Sequence, residues 1–269
     1  MRKLIATLSA TLLLAACGQS TEPPVTETTA EATAPAGPAK IFDMPYLKRD
    51  LENGLRVIIV PTDYPDIVTI QIPVQTGSRN EIEPGKTGFA HFFEHMMFRG
   101  TEKYPADVYA DILKKAGADQ NAYTSSDLTN YHITFTKEDL EKIIEIEADR
   151  FQNLSYSEDV FRTEALAVKG EYLKNFSNPF SKIYERVSDL MFSKHTYKHT
   201  TMGFIEDIEA MPDQMEYSKV FFDRWYRPEK TTVILVGDVD AEATFELVKK
   251  YWGGWERGDY AMEVPVEPP

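Results

Sequence analysis

The stretch His91-Phe92-Phe93-Glu94-His95 places three residues with metal chemistry at helical spacing. Positions i, i+3 and i+4 lie side by side on a helix, so both imidazoles can reach one metal ion while Glu94 stays near a water. This H-x-x-E-H order reverses the commoner H-E-x-x-H, with two neutral imidazoles as ligands and a carboxylate as general base. The pattern therefore predicts a hydrolytic zinc site on an amphipathic helix. The alternative is a helix whose histidines are ordinary, satisfied polar groups.

A third protein ligand should come from elsewhere in the chain, because catalytic zinc usually has three protein ligands. Cys17 is the only cysteine, and it lies in an N-terminal leader, so the third ligand should be a carboxylate. The best candidates are Glu164 and Glu171 on a predicted helix, seven residues apart and therefore on the same side, two turns from each other. This spacing leaves both glutamates open as ligands.

Residues 1–17 have the features of a lipoprotein signal peptide. A basic start precedes an apolar run that is shorter than the about 20 residues needed to cross a bilayer, and Leu14-Ala15-Ala16-Cys17 resembles a bacterial lipobox. We expect cleavage before Cys17 and lipidation of Cys17, which would anchor the protein to a membrane of the bacterial cell envelope, at the periplasmic face of the outer membrane. An ordinary secretory signal with an incidental cysteine is the alternative, and it would also export the protein.

Residues 18–40 are rich in Pro, Thr, Ala and Glu and contain almost no large apolar residue, so we expect a disordered tether. Residues 41–269 are long enough for one large domain or two small ones. The net charge of −14 and the pI near 4.9 argue against nucleic acid as a partner, since phosphate binding needs a basic face.

The folded part alternates between runs of β-branched residues and amphipathic segments, which indicates an α+β fold with helices packed on a mixed sheet. The predicted strands cover residues 55–61, 67–76, 121–123, 129–136 and 231–236. The predicted helices cover residues 87–98, 105–116, 137–153, 157–174, 182–192, 212–225 and 241–251.

Several segments together resemble the N-terminal domain of the pitrilysin (insulinase) family of zinc metallopeptidases. The resemblance covers roughly residues 45–255, nearly all of the foldable chain. The matching segments are Gly77-Ser78-Arg79-Asn80-Glu81, the run from Gly88 to Thr101, Asn121-Ala122-Tyr123-Thr124, the run from Ala167 to Leu173, Tyr226-Arg227-Pro228 and the run from Val233 to Asp238. It implies that residues 41–269 are one metallopeptidase domain, with a mostly antiparallel sheet and helices on one face.

The resemblance also implies roles for individual residues. It selects Glu171 as the third zinc ligand beside His91 and His95, because the family's ligand lies about this far downstream. Glu164 then corresponds to a supporting glutamate that is not itself a ligand, and a solvated surface carboxylate is the alternative interpretation of that residue. Asn121 and Ala122 correspond to a strand that binds the substrate backbone as an extra strand. A purely structural turn-and-strand role for Asn121 fits the sequence about as well.

The function implied is zinc-dependent hydrolysis of peptides or small unfolded proteins outside the cytoplasm. Glu94 would take a proton from water and pass it to the leaving amine. Family members resemble clamshells in which a second half of similar fold closes over the metal half, so we expect a second pitrilysin-type domain or subunit as a partner. The Pro-rich residues 264–269 resemble the start of the family's linker to its next domain.

Two other function classes compete with this interpretation. S-ribosylhomocysteine lyase shares the helix motif but uses a cysteine ligand, and no cysteine follows Cys17. A non-catalytic subunit that binds peptides is the second rival, although such relatives usually lose motif residues that are all present here. His132, His195 and His199 show no pattern that would predict a second metal site.

Overall fold

A six-stranded mixed sheet forms the centre of the computed structural model, which describes residues 44–269. The predicted signal peptide, its Cys17 and the predicted tether all lie outside these described residues, as do the first residues of the predicted domain. Residues 44–269 form one compact unit. Within them no helix is both long and apolar enough to cross a membrane.

The strands follow the order β1-β2-β6-β3-β5-β4 across the sheet. Only β2 and β6 run parallel, and each of the other neighbouring pairs is antiparallel. The predicted mixed, mostly antiparallel sheet is therefore confirmed. The strands are β1 (Leu47–Asp50), β2 (Arg56–Pro61), β3 (Ile67–Val74), β4 (Asp119–Thr124), β5 (Thr129–Thr136) and β6 (Thr232–Gly237).

Within residues 44–269, eight α-helices accompany the sheet, joined in places by short 3₁₀ turns. The seven predicted helices all occur, with ends that differ from the predictions by a few residues. The helices are α1 (Phe89–Met96), α2 (Ala106–Lys115), α3 (Leu140–Asn153), α4 (Glu158–Asn175), α5 (Pro179–Met191), α6 (Ile205–Ala210), α7 (Met215–Trp225) and α8 (Ala241–Trp252).

The side chains of the central strands alternate between a buried and a partly exposed face. In β3, Val68, Ile70, Ile72 and Val74 are fully buried, while the residues between them are only partly so. The same alternation recurs in β6. One face of the sheet therefore carries the apolar core shared with the helices, as the sequence predicts.

Two elements were absent from the sequence prediction. Strand β1 has a single apolar residue, Leu47, and three exposed ones, so its sequence carries no strand pattern. It is a strand because it pairs along its whole length with β2. Helix α6 has only six residues, fewer than two turns, and its one buried residue is Ile208.

The orientation of α1 is set by its apolar side. Phe92 and Phe93 are fully buried, with Phe92 edge-on to Phe161 of α4 and Phe93 stacked on Phe221 of α7. The helix also packs against β4 and β5. Because these contacts fix the rotation of the helix about its axis, the stripe of His91, Glu94 and His95 is turned away from the aromatic core.

Candidate metal centre

The first turn of α1 is held by a carboxylate from outside the helix. Gly88 precedes the helix at φ +91°, where a side chain would be strained, and a Cβ there would lie 2.4 Å from Cδ1 of Ile208. Gly88 offers no capping oxygen, so the buried Glu81 accepts hydrogen bonds from the backbone amides of Gly88 (2.8 Å) and Ala90 (2.7 Å) instead. Burial raises the pKa of Glu81 to about 8.

The far end of α1 is fixed by a buried ion pair on α3. The guanidinium of Arg150 lies 2.5 Å from Oε2 of Glu147 and donates to the carbonyl of Met97 at 3.4 Å. The hydroxyl of Tyr109 donates to the other carboxylate oxygen at 2.8 Å. Because each buried charge has a partner, the pair can hold the last turn of the helix without leaving an uncompensated ion in the core.

The structure brings His91, His95 and Glu171 together. One oxygen of Glu171, Oε2, lies 3.5 Å from Nε2 of His91 and 3.3 Å from Nε2 of His95. One ligand atom from each residue lies within 4.8 Å of the other two. The spacing along the sequence allowed either Glu164 or Glu171 as the third ligand. In the structure, helix α4 brings Glu171, and not Glu164, close to the Nε2 atoms of both histidines.

These three side chains fit a zinc ion in chemistry and in spacing. Two imidazole nitrogens and one carboxylate oxygen are a common ligand set of catalytic zinc, with bonds of about 2.0–2.2 Å. In a tetrahedral arrangement such bonds separate neighbouring ligand atoms by roughly 3.3–3.5 Å, close to the two distances from Oε2 of Glu171. Burial, followed by the neighbouring His95, lowers the pKa of His91 and so favours the neutral imidazole that binds metals.

Glu164 lies behind the metal ligands instead of among them. Its carboxylate is almost fully buried, with Oε2 3.7 Å from Nδ1 of His95 and Oε1 2.7 Å from a guanidinium nitrogen of Arg99. Burial alone would raise the pKa of Glu164, but His95 and Arg99 together lower it. The alternative interpretation of Glu164 as a solvated surface carboxylate is wrong, because its side chain is only 5% exposed.

The carboxylate of Glu94 lies on the same face of α1, and strand β4 supplies its hydrogen-bond partner. The hydroxyl of Thr124 donates to Oε2 of Glu94 at 2.7 Å. Thr124 and Arg99 were not singled out from the sequence, although both stand in segments that match the pitrilysin pattern. Each contact joins two different elements, so no spacing along the chain could reveal it.

Asn121 and Ala122 lie on β4, which is one of the two edge strands of the sheet. Asn121 is exposed, and its Oδ1 accepts from the backbone amide of Ala122 at 2.9 Å. That amide therefore points to the unpaired edge of β4 and away from β5. A free strand edge beside Glu94 could accept another extended chain.

The remaining histidines lie apart from the metal ligands. His132 is partly buried on β5, and Nδ1 of His195 accepts from the amide of Tyr197 at 3.0 Å. Nδ1 of His199 lies 3.6 Å from Oε2 of Glu81, a carboxylate that is distant in the sequence. Within residues 44–269, none of the three belongs to a group of metal-binding side chains.

Comparison with known families places most of the described chain in two neighbouring family models. Residues 56–204 match the model described as insulinase (peptidase family M16). Residues 216–269 match the model described as the peptidase M16 inactive domain. The first match includes His91, Glu94 and His95 of α1 and the two candidate glutamates of α4, Glu164 and Glu171.

Individual relatives agree with this assignment. The zinc protease PqqE of Helicobacter pylori is 34% identical over 204 residues, which is 75% of this chain and 45% of that protein. A crystal structure of a protease from Helicobacter pylori superimposes with a TM-score of 0.77 at 31% identity, covering 84% of this chain and 54% of that one. The structure of the first half of the periplasmic protease PqqL from Escherichia coli superimposes with a TM-score of 0.71 at 27% identity. It covers 83% of this chain and 48% of that one. The chain spans about half the length, or less, of the curated relatives it matches.

Proposed function

The chain belongs to peptidase family M16, the insulinase family, and from that premise we propose that it is the metal-binding part of a zinc endopeptidase that cleaves peptides or small unfolded proteins. Its relatives include proteins named a zinc protease in Helicobacter pylori and a probable zinc protease in Escherichia coli. The observation that supports the proposal most directly is the meeting of His91, His95 and Glu171 beside the carboxylate of Glu94.

Zinc, when bound, supplies a Lewis acid that polarises the scissile carbonyl and makes water acidic enough to lose a proton near neutral pH. His91, His95 and Glu171 would hold the ion. Glu94 would accept the proton from water and return it to the leaving amine. Glu164 would fix the ring of His95 from the side of its Nδ1, a role that a supporting carboxylate often has at metal sites.

The substrate would bind in an extended conformation along β4. The free edge of this strand passes the carboxylate of Glu94, and the amide of Ala122 faces that edge. Asn121 would release its bond to this amide when a peptide pairs with the strand. Main-chain pairing of this kind favours unfolded peptides, because most strands of a folded protein are already paired within their own sheet.

Replacing Glu171 by glutamine should remove most of the bound zinc while the domain stays folded. The expected loss in zinc affinity exceeds the roughly 10- to 100-fold typical of removing a supporting residue. We would measure zinc per chain by metal analysis after dialysis, and the fold by circular dichroism. Wild type should hold about one zinc per chain.

Two matched variants on the same helix control this experiment. Glu158→Gln makes the same chemical change at the exposed start of α4 and should keep full zinc occupancy. Glu164→Gln should weaken zinc binding less than Glu171→Gln, because Glu164 contacts His95 and not the metal position. Undiminished zinc in Glu171→Gln would remove Glu171 from the site.

We also propose that the protein works in the bacterial cell envelope, lipid-anchored through Cys17 to the periplasmic face of the outer membrane. This rests on the lipobox-like residues 14–17 and on the periplasmic location named for the Escherichia coli relative. Cys17→Ser should move the protein from the membrane to the soluble envelope fraction, while the control Thr21→Ser should leave it bound. An unchanged membrane fraction for Cys17→Ser would refute the anchor.

A further inference from the structure

The hydroxyl of Thr124 donates a hydrogen bond to the carboxylate of Glu94. This hydroxyl has a single proton, and it donates this proton to Oε2 of Glu94, 2.7 Å away. The other hydroxyl in reach, that of Thr129 at 3.5 Å, donates its own proton to the carbonyl of Thr76 at 2.9 Å. Because its proton is used in this way, the hydroxyl of Thr129 does not compete with Thr124 as a donor to Glu94.

This bond is the hydrogen bond that fixes the carboxylate of Glu94. Within residues 44–269, no other hydrogen bond to that carboxylate occurs. Glu94 is partly exposed and has three side-chain torsions, so without a partner its carboxylate would sample several rotamers. With Oε2 held by Thr124, Oε1 is the oxygen that remains free to take a proton.

The main chain of Thr124 faces the proposed substrate. The amide of Ala122 points to the unpaired edge of β4, where it meets Oδ1 of Asn121. Alternate residues of a strand present their backbone groups to the same edge, so the amide and carbonyl of Thr124 face that edge as well. The side chain of Thr124 thus holds Glu94 while its backbone lies where an extended peptide would pair.

We propose that Thr124 is a positioning residue that couples peptide pairing on β4 to the orientation of Glu94. A peptide that pairs with the edge fixes the position of the strand at Thr124, and the hydroxyl transmits this to the carboxylate that takes the proton. The inference rests on the proposed function, because it assumes that Glu94 is the base and that β4 receives the substrate.

Kinetics of two substitutions at this position test the inference. Thr124→Val keeps the β-branched shape but removes the hydroxyl, and we expect it to lower kcat about 10- to 100-fold with little change in KM or zinc content. Thr124→Ser keeps the hydroxyl and should restore kcat to within a few-fold of wild type. Thr134→Val removes a hydroxyl that bonds Thr69 elsewhere in the sheet and should leave kcat unchanged.

A thermal double-mutant cycle on the metal-free protein tests the same bond without any activity. Thr124→Val, Glu94→Ala and the double variant should give non-additive melting temperatures, differing by about 2–4 °C from the sum of the single shifts. Additive shifts would show that the two side chains do not interact.

The possible failures can be told apart. A Thr124→Val protein with wild-type kcat, or Thr124→Ser as impaired as Thr124→Val, overturns the positioning role alone. A wild-type protein that binds zinc but cleaves no peptide, even together with a second M16-type half, overturns the proposed function.

Discussion

Glu94→Gln should lower kcat for a short, unfolded fluorogenic peptide by about 10²- to 10⁴-fold, the usual contribution of a general base. The amide has nearly the shape of the carboxylate but cannot accept a proton from water. Glu94 is not among the three side chains that meet at the metal position. Zinc content, melting temperature and KM should therefore stay close to those of wild type.

The control for this prediction is Glu102→Gln, the same chemical change at an exposed position after the helix. If the turnover of this chain is too slow to measure, both variants are compared in the protein joined to a second M16-type half. Activity of Glu94→Gln close to that of wild type would contradict the proposed mechanism and point to a peptide-binding role. Loss of zinc in the variant would show that Glu94 acts on the metal site instead.

Helical spacing was the most reliable guide to both fold and site. The i, i+3, i+4 pattern of His91, Glu94 and His95 predicts α1, and the structure has a helix there. The pitrilysin resemblance predicts the sheet and the family, and both are confirmed. The roles of the individual site residues stay predictions, because they rest on geometry alone.

Sequence spacing could not supply what depends on contacts between distant elements. Strands β2 and β6 come from opposite ends of the folded chain and pair in parallel. Nothing in the sequence of either strand indicates which strand it pairs with. The choice between Glu164 and Glu171 depends on how α4 lies across α1, since both glutamates project from the same side of one helix. Strand β1 exists only through its pairing with β2.

The pKa values of the two histidines also depend on contacts that the sequence does not reveal. A helix with two histidines suggests two equal ligands, yet their surroundings set their pKa values apart. The carboxylate of Glu164, together with those of Glu171 and Glu94, raises the pKa of His95, whereas burial lowers that of His91. Protons should therefore compete with zinc mainly at His95, whose carboxylate neighbours only the folded structure assembles.

The described chain should bind zinc as a verified monomer but cleave peptides at least about 100-fold more slowly than the same chain combined with a second M16-type half. The matched region covers 45% of one curated relative and 23% of another, and residues 216–269 match the model of a domain described as inactive. The side chains of Glu171 and His95 are 39% and 25% exposed, so the metal position opens to solvent on one side.

Turnover by this chain alone should be slow because, in the proposed binding mode, β4 would hold a peptide along one edge only. The side chains of Glu171 and His95 are partly exposed, so a bound peptide could tilt away from Glu94 and water could enter. In the proposed site all three zinc ligands belong to this chain, so zinc affinity should not change when the second half is added. Turnover should rise because a second surface fixes the peptide and excludes water.

The measurement is kcat/KM on one unfolded peptide, with the mass in solution determined by light scattering and zinc per chain measured in parallel. The second half is supplied as a longer product of the same gene or as a separate M16-type subunit, and Glu94→Gln in the combined protein serves as the inactive control. Equal zinc with a large gain in kcat/KM is the expected result. Full turnover by the monomer alone would show that one half both positions the peptide and shields the site, and the requirement for a partner would then be wrong.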